Sequence, residues 1–194
     1  MTSSPVKRPA TYEDLLRVPE DRIAEIVDGD LYSSPRPAIP HVVCGSALAA
    51  ELGSAFQSGR GGPGGWWILS EPELHLDDDT LVPDLAGWRR ERLPKPPDAP
   101  AITLAPDWVC EILSPSTERL DRARKLPAYA RHGVAHAWLI NPAARTLEAL
   151  RAEGGRWVLV GTFADDARVR AEPFDAIELD LLPFWVEPRP PSAG

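Results

Sequence analysis

The stretch that decides the fold class is Asp107-Trp108-Val109-Cys110-Glu111-Ile112-Leu113, followed by Ser114-Pro115-Ser116-Thr117. Its apolar residues run almost without interruption, which is typical of a strand buried on both faces of a sheet. Glu111 breaks this run, and a carboxylate is almost never buried without a partner or a metal. The stretch therefore predicts a central strand with a candidate functional carboxylate in it.

The segments on the C-terminal side of this strand predict a crossover and a hairpin. Residues 117–132 have the pattern of a helix, and Pro127 inside them is expected to kink or split it. A second apolar strand at 135–140 completes a strand–helix–strand unit, and 146–150 with 157–160 predict a hairpin. This order is typical of a sheet with helices packed against it.

The N-terminal half predicts further strands and two helices. Asp28-Gly29 favours a tight turn between strands at 23–27 and 30–32, and short and long helices are expected at 11–18 and 42–56. Two antiparallel strands, 66–76 and 81–88, are expected to flank a solvated acidic turn at 77–80. We therefore predict an α/β fold, a mixed sheet flanked by helices, with an N-terminal helix and hairpin.

The length of 194 residues fits one domain. We expect that domain at residues 11–187, between a flexible N-terminal arm at 1–10 and a disordered tail at 188–194. A hydrophobic fraction of 43% and a charged fraction of 26% are ordinary, which excludes a wholly disordered chain and a coiled coil. No apolar run approaches the ~20 residues of a membrane span, so we expect a cytoplasmic protein without membrane contact.

The two cysteines, Cys44 and Cys110, have neither CxxC nor metal-ligand spacing. We interpret them as buried, reduced thiols. The 29 acidic against 21 basic residues give a net charge of −8, which argues against non-specific coating of nucleic acid.

A second carboxylate lies in a setting similar to that of Glu111. Asp84 belongs to Val82-Pro83-Asp84-Leu85-Ala86, an otherwise apolar strand whose proline suits a strand start. Two carboxylates that converge from neighbouring strands form an oxygen site suited to Mg²⁺. For either residue alone, a salt-bridged structural carboxylate is an equally good interpretation.

The residues around these two acids resemble the Uma2 family of the PD-(D/E)xK nuclease superfamily. The resemblance covers about residues 11–186, and its matching elements are spread along the chain. They are Glu25-Ile26-Val27-Asp28-Gly29, His41, Pro83-Asp84, Glu111-Ile112-Leu113-Ser114-Pro115-Ser116-Thr117, Asp121, Lys125, Tyr129, Gly133-Val134 and Trp138-Leu139-Ile140-Asn141-Pro142.

This resemblance implies a restriction-endonuclease-like core and a metal-dependent endonuclease. Asp84 and Glu111 would bind Mg²⁺ or Mn²⁺, which activates water and stabilises charge on the scissile phosphate. The position two after Glu111 is Leu113 where the superfamily has lysine, so another residue must supply the cation. Lys125 matches the lysine that Uma2 sequences carry in the following helix, and a plain surface lysine is the alternative.

Glu25 resembles the additional acid that this superfamily often contributes from its N-terminal region. It would act as a ligand or orient water, and Glu71 is the alternative for this role. His41, which follows Pro40 at a helix start, is interpreted as a surface residue.

The implied substrate is nucleic acid, DNA rather than RNA, and a homodimer is expected because two-fold symmetry suits cutting of both strands. Residues 89–131 contain nine basic and six acidic residues, a distribution that favours positive charge around the site. Two other functions stay open: a non-catalytic protein- or nucleic-acid-binding module on the same fold, and hydrolysis of a small phosphoester.

Overall fold

The computed structural model describes residues 8–186. Four α-helices in this part of the chain are α1 (Tyr12–Leu15), α2 (Ile39–Leu52), α3 (Glu118–Leu120) and α4 (Leu126–Arg131). The strands are β1 (Arg22–Val27), β2 (Asp30–Pro35), β3 (Trp66–Ser70), β4 (Glu73–Leu76), β5 (Asp79–Leu81), β6 (Leu85–Arg89), β7 (Ala101–Ile102), β8 (Trp108–Ile112), β9 (His136–Asn141), β10 (Thr146–Glu153), β11 (Arg156–Ala164), β12 (Arg168–Val169) and β13 (Leu179–Asp180).

The strands form a six-stranded main sheet in the order β11-β10-β9-β8-β6-β3 and a five-stranded second sheet in the order β2-β1-β5-β4-β7. In the main sheet β8 and β9 run parallel, joined by α3 and α4, and the other neighbours are antiparallel. The predicted α/β fold, with a mixed sheet, flanking helices and an N-terminal helix and hairpin, is confirmed.

The alternation of side chains along β8 divides the core into two layers. Trp108, Cys110 and Ile112 pack on one face with residues of α2. Val109, on the other face, packs with residues of α4. Because side chains of a strand alternate between faces, Glu111 lies on the α4 face.

The N-terminal hairpin forms as predicted because its turn residues tolerate positive φ. Asp28 has φ 53° and Gly29 has φ 75°, which is the geometry of the turn that Asp-Gly favours. The short first helix also carries the expected capping contact, since the Thr11 N–H donates to Asp14 Oδ2 at 3.0 Å.

The predicted hairpin of residues 66–76 and 81–88 is wrong in one respect, because it is divided between the two sheets. β3 pairs with β6 in the main sheet, and β4 pairs with β5 in the second sheet. Glu71, with φ 47°, precedes Pro72 where the first strand breaks, and Pro83 lies where the second breaks. Proline cannot donate to a ladder, so strand pairing ends at these points.

The acidic turn is also less solvated than predicted. Asp79 is buried and begins β5. Its Oδ1 accepts a hydrogen bond from the Asp28 N–H, and its Oδ2 lies 2.8 Å from His132 Nε2. The turn itself is therefore reduced to Asp77 and Asp78.

The predicted helix of residues 117–132 is divided by a wide π-helical turn, Asp121–Lys125, between α3 and α4. The Leu126 N–H donates to the carbonyl five residues back, at Asp121. Pro127 has no N–H to continue the regular ladder, and π turns insert where that ladder is interrupted. The split that Pro127 predicted is therefore present, and it lies just before the proline.

One described helical segment, Ile39–Gln57, is long and apolar enough to cross a membrane by length and composition alone. The prediction that no apolar segment approaches this length is therefore wrong. Buried side chains of the segment, including Cys44, Leu48 and Phe56, pack in the main core.

The predictions for the two chain ends fall largely outside the described part of the chain. Residues 1–7 and 188–194 lie outside it, while the Ala10 N–H donates to Gly29 O at 2.8 Å. The first three described residues of the predicted arm therefore run beside the β1–β2 turn.

Both cysteines are free and buried, as predicted. Burial raises the pKa of the Cys44 thiol to about 12, and it raises the pKa of Cys110 well above its usual value. We expect neither thiol of the native protein to react with iodoacetamide at pH 8, because thiolate is the reactive form. Both should react in denaturant, as measured by mass spectrometry.

A Ser46→Cys variant provides the control, because Ser46 is exposed on the same helix as Cys44. It should gain one native-state adduct. Rapid modification of Cys44 or Cys110 in the folded protein would contradict the burial that this structure gives them.

Candidate active site

The candidate site lies where the chain leaves the second sheet and enters the main sheet. The connector Val82-Pro83-Asp84 leaves β5 and enters β6. Leu85 pairs with Cys110, so Asp84 comes opposite Glu111 at the adjoining ends of β6 and β8. The Ile112 N–H donates to Asp84 Oδ2 at 2.6 Å, which fixes this carboxylate beside the strand that carries Glu111.

The π-helical turn before α4 places the ammonium group of Lys125 beside Glu25 and Glu111. Its Nζ lies 2.8 Å from Glu25 Oε1 and 3.0 Å from Glu111 Oε1, and it donates to the Val82 carbonyl at 3.0 Å. An ammonium has three N–H donors, so these three acceptors saturate Lys125.

Glu25 and Glu111 each have a further partner. The Val82 N–H donates to Glu25 Oε1 at 2.8 Å, and the Tyr129 hydroxyl donates to Glu111 Oε1 at 2.6 Å. Glu25, Glu111 and Lys125 are all at most 5% exposed. Together these contacts form a buried cluster in which each of these three charged groups has at least two hydrogen-bonding partners.

Asp84 also contacts His41 near the start of α2. His41 Nε2 lies 2.8 Å from Asp84 Oδ1, and the two side chains are only 15% and 17% exposed. The interpretation of His41 as a surface residue is therefore wrong, because the Asp84 contact holds the ring against the site. Burial lowers the pKa of His41, but the hydrogen bond and charge of Asp84 outweigh it, so the pKa is raised.

Asp121 adds a fourth carboxylate, and its Oδ1 lies 3.9 Å from Lys125 Nζ. Burial raises the pKa of Asp121 to about 6, against the opposing effects of Lys125 and of the Thr117 hydrogen bond. Burial likewise raises the pKa of Glu111 well above its usual range, although Lys125 acts to lower it. The pKa of Lys125 is lowered by burial but raised more by the surrounding carboxylates, Glu111 first.

The raised pKa values of Glu111 and Asp121 reflect their burial in a site that holds more carboxylates than cations. Four carboxylates, from Glu25, Asp84, Glu111 and Asp121, surround one ammonium and one histidine. Such an arrangement is costly unless some carboxyls are protonated or a further cation binds.

A cavity of about 270 Å³ gives access to the cluster. All four predicted site residues line it, together with His41, Asp121 and other polar residues that include Arg36, Ser114 and Thr117. Glu71 does not line this cavity and instead lines a smaller one of about 140 Å³ with His41 and Asp84. Between the two alternatives, the structure therefore brings Glu25 to the lysine and leaves Glu71 apart.

A larger cavity, of about 940 Å³, lies between the residues around α1 and the β4–β5 turn. None of the predicted site residues lines it. We give the smaller cavity priority as the functional site because buried carboxylates and the lysine converge there.

The predicted basic surroundings of the site are only partly present. Arg89 and Arg90 lie at the far end of β6 from Asp84. Arg89 Cζ lies 4.6 Å from the centre of the Trp66 ring, and Arg90 Cζ lies 4.1 Å from the centre of the Trp67 ring. The basic excess of residues 89–131 is therefore divided between both ends of the sheet, because this segment starts at the end of β6 and returns along the antiparallel strand β8.

Sequence reasoning missed three residues of the cluster as site residues: His41, Asp121 and Tyr129. A signal for two of them was present, since Asp121, Lys125 and Tyr129 are spaced four apart, as are side chains that share one helix face. All three also belong to the set of residues that resembles Uma2.

Comparison with known proteins identifies the family of this chain. The model of the Uma2 family, described as "putative restriction endonuclease", matches residues 9–182. A search of curated proteins gives no match.

A crystal structure described as a "putative nuclease" from Anabaena variabilis is 24% identical in sequence to this chain. It has a TM-score of 0.72 and covers 91% of this chain and 97% of its own. At this identity the likeness establishes the shared fold. Since the family model spans nearly all of the described residues, this chain belongs to the Uma2 family.

Proposed function

We propose that this protein is a divalent-metal-dependent endonuclease that hydrolyses phosphodiester bonds of DNA. The observation that carries the proposal is the excess of buried carboxylates over cations in a cluster that lines an accessible cavity. The family description as a restriction endonuclease supports nucleic acid as the substrate and favours DNA over RNA.

The donor set of the site suits Mg²⁺ or Mn²⁺. Among residues 8–186 no group of three or more His, Cys, Asp or Glu side chains is arranged as a complete metal site. Mg²⁺ is commonly held by only one or two carboxylates and takes its other ligands from water and substrate phosphates. Asp84 and Glu111 fit this pattern and would hold the ion, which would supply Lewis-acid activation of water and stabilise phosphate charge.

The other residues of the cluster would then hold the two carboxylates in place. Lys125 and Tyr129 both contact Glu111 Oε1, so its rotation is restricted while Oε2 is left to other partners. Asp84 is fixed through both oxygens, since His41 contacts Oδ1 and the Ile112 N–H donates to Oδ2. Since Lys125 already has three acceptors, its role in this arrangement is to position Glu111 and Glu25 and to offset their charge.

Three further polar residues that line the cavity are suited to phosphate. Arg36 provides a positive charge there, and Ser114 and Thr117 provide hydroxyl groups. Hydroxyl and guanidinium groups are common phosphate contacts in DNA-binding proteins, and they position the backbone without reading the sequence.

The first test is cleavage of supercoiled plasmid and linear duplex DNA by the purified protein. We expect cleavage with Mg²⁺ or Mn²⁺, loss of cleavage in EDTA, and weaker cleavage of single-stranded RNA of equal length. Gel electrophoresis measures all three. Equal cleavage with and without EDTA would contradict metal dependence, and absence of cleavage on every substrate would contradict the nuclease proposal.

A non-catalytic module is the second candidate, and one observation favours it. Lys125 is fully satisfied by protein acceptors, as in a structural ion-pair cluster. Calorimetric titration with Mn²⁺ separates the two functions. Binding by the wild type that is lost in Asp84→Asn supports the enzyme, and no binding by the wild type supports the module.

A further inference from the structure

The carboxylates of the candidate site are recessed from the protein surface. Glu25 and Glu111 are 5% and 2% exposed, and the Asp84 side chain is 17% exposed. A phosphate that reacts there has to enter the cavity of about 270 Å³, because a phosphate on the outer surface of the protein would not reach these groups. The depth of the site therefore restricts the shape of the substrate.

Two exposed chain segments line the outer part of this cavity. Residues of the first segment lie between β2 and α2, and those of the second follow β8. The exposed lining residues are Pro35, Arg36 and Ala38 from the first segment and Pro115 and Ser116 from the second. Because exposed lining residues mark where a cavity meets solvent, these two segments form its entrance.

The size of the cavity suits one strand of nucleic acid rather than two. Its volume is near the lower end of the range for small-molecule sites, roughly 300–1,000 Å³. Such a space holds a phosphate and the groups next to it, whereas two paired strands with stacked bases exceed it. Enzymes that cannot reach their target inside a duplex act on single strands or unstack the target nucleotide.

An exposed apolar side chain lies directly beside the entrance. Ile39 follows the lining residue Ala38 and is 72% exposed, more than any other large apolar side chain among residues 8–186. Val42, three residues further along α2 and on the same helix face, is 45% exposed. Isoleucine is one of the side chains that DNA-deforming proteins insert between base steps, which partly unstacks them.

The segment that carries Ile39 is also stiff and positively charged. Residues 35–40 contain three prolines, whose fixed φ restricts the backbone. Arg36 Nη2 donates to the Glu20 carbonyl at 3.1 Å, and the remaining N–H groups of the guanidinium can contact a phosphate. One preorganised segment thus offers a cation to the DNA backbone and an apolar surface to bases.

We propose that this site acts on DNA in which the scissile strand is separated from its complement, and that Ile39 packs against the bases unstacked there. The inference rests on the proposed endonuclease function and deepens it, since it names the state of the DNA that enters the cavity. A fully paired duplex is then cleaved only after local opening, which costs free energy and lowers the rate.

The test compares two DNA substrates that share one labelled strand: a fully paired duplex and a duplex with a central non-complementary bubble. With Mn²⁺ we expect cleavage in the bubble to be at least about tenfold faster than cleavage of the paired duplex. Fluorescence anisotropy in EDTA should show tighter binding of the bubble without cleavage. Equal rates and affinities would overturn the inference and leave the nuclease function intact. Absence of cleavage on both substrates would contradict the nuclease function and, with it, this inference.

Ile39→Ser provides the second arm. It should slow cleavage of the paired duplex by at least about tenfold and slow cleavage of the bubble less, because the bubble is already unpaired. Leu182→Ser is the matched control, since Leu182 is 47% exposed and lines none of the three cavities, and it should keep both rates. Circular dichroism checks that each variant is folded. The same loss on both substrates, or no loss on either, would overturn the role assigned to Ile39.

Discussion

Glu111→Gln is expected to reduce metal-dependent cleavage by at least about a hundredfold, the scale found when one group that stabilises transition-state charge is removed. Glutamine keeps the size of the side chain, and its amide oxygen can still accept from the Tyr129 hydroxyl, which lies 2.6 Å from Glu111 Oε1. The substitution removes the negative charge that would hold the metal. A loss of rate would therefore reflect chemistry more than packing.

Initial rates on supercoiled plasmid at saturating Mn²⁺ measure this effect. Glu51→Gln is the matched control, because it makes the same change in an exposed residue of α2 that lines neither of the cavities containing Asp84. It should cleave at close to the wild-type rate. If Glu111→Gln cleaves as fast as the wild type while still folded, Glu111 has no role in the reaction.

Individual strands and turns were predictable where a single local rule determined the structure. The nearly continuous apolar run predicted β8. Asp28-Gly29 predicted the turn after β1, because backbone tolerance of positive φ is a property of those two residues. The division of β3–β4 and β5–β6 between two sheets was not predictable from alternation. It depends on which strand pairs with β1, and that contact joins residues far apart in sequence.

The candidate site was predictable only in part, for a related reason. Asp84 and Glu111 were found because a carboxylate within an apolar strand stands out against its neighbours. His41 has no such contrast, since a histidine at a helix start is common at a protein surface. Its burial results from the connector that brings Asp84 to the first turns of α2, an arrangement that belongs to the tertiary structure.

Residue roles required the structure as well. From the family resemblance, Lys125 was expected to supply the cation that the superfamily has two residues after its strand acid, where this chain has Leu113. The three acceptors within 3.0 Å of its Nζ now indicate that it holds Glu25 and Glu111 at fixed positions. A phosphate could replace one of these acceptors only if the cluster rearranged, so the two roles predict different consequences for folding.

Lys125→Met is accordingly expected to lower the free energy of unfolding by about 3–5 kcal/mol, the cost of leaving buried charges without their partner. Methionine nearly matches the volume of lysine, so lost packing contributes little. Glu25 and Glu111, both at most 5% exposed, would then face each other with no ammonium between them. Urea denaturation in EDTA measures the change without a contribution from bound metal.

A control variant and a double variant test whether this loss of stability arises from the cluster. Arg124→Met removes a neighbouring positive charge that is exposed, and it should change stability by less than about 1 kcal/mol. Addition of Glu25→Gln to Lys125→Met should cost less than the sum of the two single changes, because the second substitution removes one of the charges left unpaired by the first. Strict additivity, or a Lys125→Met variant as stable as the wild type, would mean that Lys125 does not hold the carboxylates together and is available to the substrate.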